Sequence, residues 1–280
     1  MNLVNTDQID MFVADIVDVA PKGDTQSMEY PIFAISSKPD SEKYRYENKV
    51  TGSWLEIIPS ADGRATIHDK DLLIYAFGHI AEAAKLGRDI SRRVRITAYD
   101  YLTVTKRGTD GKSYKAIGDT LARLRGTVVR SNMIGADKVS KKAEVFGLID
   151  YGSAVTDQKG RLEYFEVVIS EQLFTAVANN EILNYNRDYF SLRSPYDRRL
   201  YELCRRNCGG SAEWRVPIEE IWHIFGVKSP LKEFRRKIKD CIKKQLVPDY
   251  ELEYEAAASK SSPDWLIVRQ NSEYTALVGT

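Results

Sequence analysis

Residues 194–246 read SPYDRRLYELCRRNCGGSAEWRVPIEEIWHIFGVKSPLKEFRRKIKDCIKKQL, and the order of elements in this stretch identifies the fold. The spacing of apolar residues, the turn residues and the caps predict a helix over Ser194–Cys208, a strand over Trp214–Val216, a helix over Ile218–Phe225, a basic helix over Pro230–Leu246 and a β-hairpin over Pro248–Arg269. Three helices and a hairpin in this order make a winged helix, which presents its third helix to a DNA groove.

The first half of the chain repeats that order. The predicted elements are a helix over Asp69–Gly87, a strand over Val94–Ile96, a helix over Ala98–Val104, a basic helix over Ser113–Ser131, and a hairpin over Glu144–Ile169. We therefore expect an α+β protein of two tandem winged-helix domains. Strands predicted within residues 30–60, at Tyr30–Ile35, Tyr44–Glu47 and Trp54–Ile58, add an antiparallel sheet that only the first domain has.

The predicted domains are a first winged helix over 25–185 and a second over 186–275, with a tail at 276–280. An acidic arm, 1–24, precedes them, and the apolar spacing of Phe12, Ile16 and Val19 predicts an amphipathic helix within it. Ser194-Pro195 predicts a capped helix start, and Ser229-Pro230 repeats the same pair. The additional sheet offers an exposed edge, and we expect it to support a homodimer through the first domain.

The net charge of +1 averages over separated regions. Residues 231–246 contain seven bases and two acids, and residues 112–142 contain eight bases and two acids. A phosphate backbone responds to charge within about one Debye length, roughly 8–10 Å at cellular salt, so local charge matters more than the total. Both basic helices are therefore candidates for DNA contact.

The candidate DNA-binding residues lie on the two basic helices and at the two hairpin tips. They are Lys232, Arg235, Arg236, Lys239 and Lys243 in the second domain, Lys112, Lys115, Arg123 and Arg130 in the first, and Lys159, Arg161 and Lys260 at the tips. Such cations can neutralise phosphates or contact guanine edges, and the sequence does not assign these two roles to individual residues.

Composition excludes several other classes. No apolar run approaches the roughly 20 residues that cross a bilayer, and the acidic N-terminus lacks the features of a signal peptide, so we expect a cytoplasmic protein without membrane contact. The three cysteines form no CxxC pair, which disfavours a zinc site or a disulfide framework. We expect no metal and no cofactor.

Four segments resemble the replication initiator protein A family of plasmid proteins and, more distantly, the two-winged-helix Rep initiators of iteron plasmids. They are YENKVTGSWLEI (46–57), ATIHDKDLLIY (65–75), LARLRGT (121–127) and YDRRLYEL (196–203). The resemblance implies a bacterial cytoplasmic protein that binds direct repeats of double-stranded plasmid origin DNA, opens the origin and recruits the host replicative helicase and initiator. It also implies that helix 230–246 is the main DNA reader and helix 113–131 a second contact.

Two alternatives compete with this interpretation. A nicking enzyme needs clustered histidines or carboxylates, but the three histidines are dispersed, and Gly108–Ser113, interpreted as a loop, lacks the spacing of a phosphate-binding loop. We therefore predict a protein that is not an enzyme. A winged-helix transcriptional repressor without an origin role uses the same surface chemistry and stays open.

Overall fold

The structure is a computed structural model that describes residues 11–36, 40–49, 51–134, 138–209, 211–259 and 261–271. In the first half of the chain the elements are β1 (Met11–Val13), β2 (Lys22–Asp24), α1 (Thr25–Glu29), β3 (Tyr44–Glu47), β4 (Trp54–Ile58), α2 (Lys70–Lys85), β5 (Arg93–Thr97), α3 (Ala98–Val104), α4 (Gly111–Gly126), β6 (Val128–Ile134), β7 (Lys138–Gly147), β8 (Ile149–Thr156), β9 (Leu162–Ile169) and α5 (Glu171–Ala178).

In the second half, β10 (Ile182–Asn184) pairs with β2 and leads through a 3₁₀ turn (Arg187–Ser191) into the second domain. Its elements are α6 (Pro195–Cys208), β11 (Glu213–Pro217), α7 (Ile218–Phe225), α8 (Leu231–Lys244), β12 (Tyr250–Glu255) and β13 (Trp265–Gln270). The α+β fold of two tandem winged helices is confirmed.

The two domains share one sheet plan. In the first domain β5 pairs antiparallel with β9, the second strand of the hairpin, and in the second domain β11 pairs in the same way with β13. The three helices of each domain pack on the inner face of that sheet and bury a separate apolar core. Each third helix, α4 or α8, lies before the hairpin in the chain and keeps one face in solvent.

The additional sheet of the first domain is confirmed, but it is larger than expected. Its strand order is β3-β4-β6-β7. The prediction that the basic helix continues to Ser131 is wrong, because α4 ends at Gly126 and Val128–Ile134 forms β6 against β4. The predicted single hairpin over Glu144–Ile169 is also divided, since the chain up to Gly147 belongs to β7 and the hairpin is β8–β9.

Two predictions for the N-terminal region are wrong. Residues 11–20 contain no helix, because Met11–Val13 pairs parallel with β5 and buries Phe12 against the first core. Residues 1–10 lie outside the described residues. Tyr30–Ile35 is not a strand either; it follows α1 and forms an isolated bridge between Ala34 and Thr66.

The two predicted helix caps have different outcomes. The Ser194 hydroxyl accepts hydrogen bonds from the backbone N–H groups of Tyr196 and Asp197 at 3.2 and 3.4 Å, as predicted. The corresponding prediction for Ser229 is wrong, because Pro230 itself occupies the N-cap position of α8 and no side chain caps that helix.

Buried ion pairs join the two domains. Lys70 of α2 donates to Glu202 of α6 at 2.6 Å, and their side chains are 0% and 2% exposed. The hydroxyls of Tyr185 and Tyr189 donate to the same carboxylate. Because a buried charge without its partner is costly, this arrangement fixes how the two domains sit against each other.

Among the residues that the structure describes, no helix is both long and apolar enough to cross a bilayer.

Candidate nucleic-acid interface

Helix α8 has a buried face and a cationic face. Phe234, Ile238 and Cys241 are buried at the i, i+4, i+7 spacing of one side of a helix. On the opposite side, five cations fall within about 100° of arc at 3.6 residues per turn. These are the predicted residues Lys232, Arg235, Arg236, Lys239 and Lys243. We call them the α8 arc.

Acids neutralise two members of the α8 arc. Arg235 pairs with Asp264 at 2.8 Å and with Glu219 at 3.3 Å, and Arg236 pairs with Asp240 at 3.5 Å. Lys232, Lys239 and Lys243 are exposed and form no ion pair with any residue that the structure describes. Three of the five charges are therefore available to a phosphate backbone.

Lys239 is held in place without being neutralised. Its ammonium lies 4.2 Å from the centroid of the Tyr254 ring, a cation–π contact between α8 and β12. Burial raises the pKa of Tyr254 to about 12, so the phenol is neutral at pH 7. The contact orients the lysine, which forms no ion pair with a described residue and has only a longer-range attraction to Asp264.

Arg235 has a positioning role. Its partner Asp264 lies at the end of the hairpin loop and also accepts a hydrogen bond from the backbone N–H of Ala257 at 3.0 Å. The guanidinium thus holds the β12–β13 hairpin, which is the wing of the second domain, against α8. The predicted tip residue Lys260 lies outside the described residues.

Helix α4 has its free cations near its two ends and not along one face. Asp110 caps it through the N–H of Ser113 at 2.8 Å, so Gly111–Ser113 begins a helix and is not the loop expected there. Lys112 and Lys115, in its first turns, are exposed. Arg125 in its last turn is exposed as well, and sequence reasoning missed it, although it lies within the basic window.

The other two predicted residues of this region are engaged inside the first domain. Arg123 donates two hydrogen bonds, of 2.8 and 2.7 Å, to the carboxylate of Asp69, whose side chain is 3% exposed. These hydrogen bonds raise the pKa of Arg123 above its ordinary value. Arg130 lies on β6 and pairs with Glu56 of β4 at 3.0 Å. Arg123 stabilises the domain through a buried carboxylate, whereas the Arg130 side chain is 47% exposed and its ion pair contributes little.

A groove of about 1050 Å³ separates α4 from the wing of the first domain. Lys115 lines one side and Arg161 the other, with Tyr99 between them at the start of α3. At the wing tip, Lys159 is exposed and Arg161 pairs with Asp157 at 2.8 Å while its side chain stays 75% exposed. The first domain thus spreads a few cations around a groove, whereas the second concentrates them on one helix.

Comparison with known proteins identifies the family of this chain. The model of the family "Replication initiator protein A" matches residues 22–252. The chain belongs to this family. It is also 34% identical over 250 residues to a protein of Wigglesworthia glossinidia brevipalpis that is named as a replication protein, and the match covers 88% of this chain and 89% of that one. The predicted family resemblance is confirmed, and the chain is a replication initiator.

Solved structures of domains 2 and 3 of RctB share the fold. Two such structures have TM-scores of 0.66 and 0.54 at 12% and 13% identity, and each match covers 88% of this chain and 97% of the other. At this identity the likeness establishes a common architecture, in which two winged helices follow one another.

Proposed function

We propose that this initiator binds repeated duplex sequences at a plasmid origin, with α8 as the main reader and α4 as a second contact. The observation that carries the proposal is the α8 arc, whose cations stand opposite a fully buried face. A helix anchored in this way can enter a major groove without unfolding its own core.

The side chains of the α8 arc have two different roles, contact with phosphates and contact with a base edge. Lys232, Lys239 and Lys243 are point charges suited to phosphates, which give salt-dependent affinity. Arg236 is suited to a base edge, because a guanidinium can donate two parallel hydrogen bonds to guanine. Its pair with Asp240 is exposed on both sides, and exposed pairs contribute about 0–1 kcal/mol, so DNA can displace the carboxylate.

The buried pairs between α2 and α6 support binding to successive stretches of duplex. They hold the two domains in one arrangement, so α4 and α8 approach DNA with a fixed separation. A rigid two-module protein loses less conformational entropy on binding than two freely linked modules. This property suits direct repeats.

Homodimerisation through the first domain is part of the proposal. Strands β3 and β7 are the edges of the additional sheet. The β3 edge lies near the second domain, where Tyr44 approaches Gly226, so β7 is the edge that a second copy can reach. Val145 on β7 is 59% exposed, which suits an apolar contact across that edge.

The remaining steps are origin opening and recruitment of host replication proteins, including the replicative helicase and the host initiator. Family membership supports both. The proposed role is binding and assembly, without catalysis by the chain itself.

Gel shifts and plasmid maintenance test the proposal together. We expect tighter binding to duplex carrying tandem repeats from the cognate origin than to a scrambled duplex of equal length, and loss of plasmid maintenance when the repeats are scrambled. Binding confined to a promoter palindrome, with plasmid maintenance unaffected by the repeats, would instead identify a transcriptional repressor.

A further inference from the structure

A pocket of about 350 Å³ lies between the two domains, away from the α8 arc. Asp40 and Arg64 line it from the first domain, and Ser229 and Lys237 line it from the second. Lys237 follows Lys232 by five residues, which places it about 140° around α8 from that lysine. A duplex lying along the arc therefore does not face this pocket.

Arg64 is buried in the pocket wall with unused donors. Its side chain is 3% exposed, and its Nε and Nη1 atoms have no hydrogen-bond partner among the described residues. Its Nη2 atom lies 3.8 Å from Asp40, and its guanidinium stacks 5.2 Å from the Tyr44 ring. Because a buried N–H group without an acceptor costs about 1–3 kcal/mol, more when it is charged, this guanidinium favours an acceptor in the pocket.

Ser229 supplies a second unused donor. Its hydroxyl is buried and has no partner in the described part of the chain, since it does not cap α8. It immediately precedes the N-terminal end of that helix, where the helix dipole adds positive potential. Two residues with unused donors, one from each domain, thus line one cavity.

The net charge around the pocket favours an anion. Lys228 donates to Asp40 and to Glu42, both at 2.7 Å, so these two acids are engaged by a lysine at the rim. Lys237 pairs with no acid among the described residues, and its ammonium lies 4.8 Å from the Tyr196 ring centroid. With Arg64, the pocket has three cations against two acids.

We infer that this pocket binds the phosphate group of a small phosphorylated compound. A phosphate offers several acceptor oxygens, which can receive hydrogen bonds from Arg64, Ser229 and Lys237 at once. Because these donors come from both domains, the bound phosphate ties the domains together. A ligand that binds only the folded arrangement raises its stability by mass action.

Thermal unfolding of the full chain tests the inference, with inorganic phosphate as the probe and chloride at equal ionic strength as the reference. We expect a saturable rise in Tm with phosphate. Ser229→Ala should weaken the apparent affinity about tenfold and Arg64→Met about a hundredfold, as expected when one and two hydrogen bonds to a charged group are removed. Ser259→Ala, in the exposed hairpin loop, is the matched control and should bind phosphate normally.

Ser229→Ala removes a single hydroxyl, so the test stands even if Arg64→Met fails to fold. No saturable rise above chloride, or an unchanged affinity in the Ser229→Ala variant, would overturn the inference. A second arm adds duplex DNA: phosphate should bind equally well to the DNA complex. Displacement of phosphate by duplex, together with weaker duplex binding by Ser229→Ala, would assign the pocket to the DNA backbone and overturn the small-ligand proposal.

Discussion

The two winged helices share one plan but use their third helices differently. On α8, three of the five arc cations are free of acids, and the buried face holds the helix in the domain. On α4, Arg123 is committed to the buried Asp69, which leaves Lys112 and Lys115 near one end and Arg125 near the other. The same topology therefore carries two different charge distributions, and under the proposed function this difference makes α8 the stronger DNA contact.

The largest effect is expected from the free lysines of the α8 arc. Replacing Lys232, Lys239 and Lys243 together by Gln should weaken binding to tandem-repeat duplex about a thousandfold, or about tenfold for each charge-assisted hydrogen bond to a phosphate that is removed. Gel shifts at fixed salt measure it. The matched control replaces Lys43, Lys49 and Lys85, which removes the same charge elsewhere on the surface. Similar reductions in affinity for both variants would mean that only total charge matters.

The next effect concerns Arg123 on α4, and it tests whether this residue stabilises the fold or contacts DNA. Arg123→Met leaves the Asp69 carboxylate buried without its cation and should lower the free energy of unfolding by about 3 kcal/mol. Urea unfolding measures the loss. Arg125→Met, two residues later and exposed, should stay within about 0.5 kcal/mol of the unaltered protein. If the Arg123→Met variant is as stable as the unaltered protein but binds DNA more weakly, Arg123 contacts DNA.

Lowering the pH should reduce the free energy of unfolding of the first domain, because His79 is buried there. Burial lowers the pKa of His79 to about 4, so the unfolded chain takes up a proton between about pH 6.5 and 4 that the folded chain does not. The stability that depends on neutral His79 is therefore present above about pH 6.5, and it is lost as the pH falls from there towards 4. Between pH 7 and 5, His79→Leu should lose about 2 kcal/mol less than the unaltered protein in urea unfolding. Equal losses would show that folding does not lower the pKa of His79.

The smallest effect is expected at the secondary contact. Replacing Lys112 and Lys115 by Gln should weaken duplex binding about tenfold in total, because only two dispersed charges are removed. Fluorescence anisotropy with labelled duplex can resolve this change. If this variant loses as much duplex affinity as the α8 variant, the two helices contribute equally to binding and α8 is not the main reader.

Local patterns were sufficient to predict most helices. The helices at 70–85, 98–104, 195–208 and 218–225 follow apolar periodicity and end at recognisable caps, so the sequence predicts them within about two residues. The end of α4 was missed because Val128 fits the helical apolar face. Gly126 and the β-branched run from Thr127 to Val129 instead favour a strand, and the pairing of β6 with β4 decides the outcome.

Non-local pairing limited the prediction of the site. The partner of Arg123 lies 54 residues away, and the partner of Arg130 lies 74 residues away, so nothing near them in the sequence indicates that they are engaged. Likewise, β1 forms only because β5 lies beside it, and the periodicity of residues 9–19 suggested a helix. The phosphate pocket combines residues from both domains and has no signature in the sequence.

The salt dependence of duplex binding tests the central claim most directly. Each lysine that neutralises a phosphate contributes about 0.9 to the slope of log affinity against log salt. If the α8 arc meets the backbone, the variant lacking Lys232, Lys239 and Lys243 should have a slope smaller by about 2.7, while the variant lacking Lys43, Lys49 and Lys85 keeps the original slope. An unchanged slope in the first variant would contradict the assignment of α8 as the DNA reader.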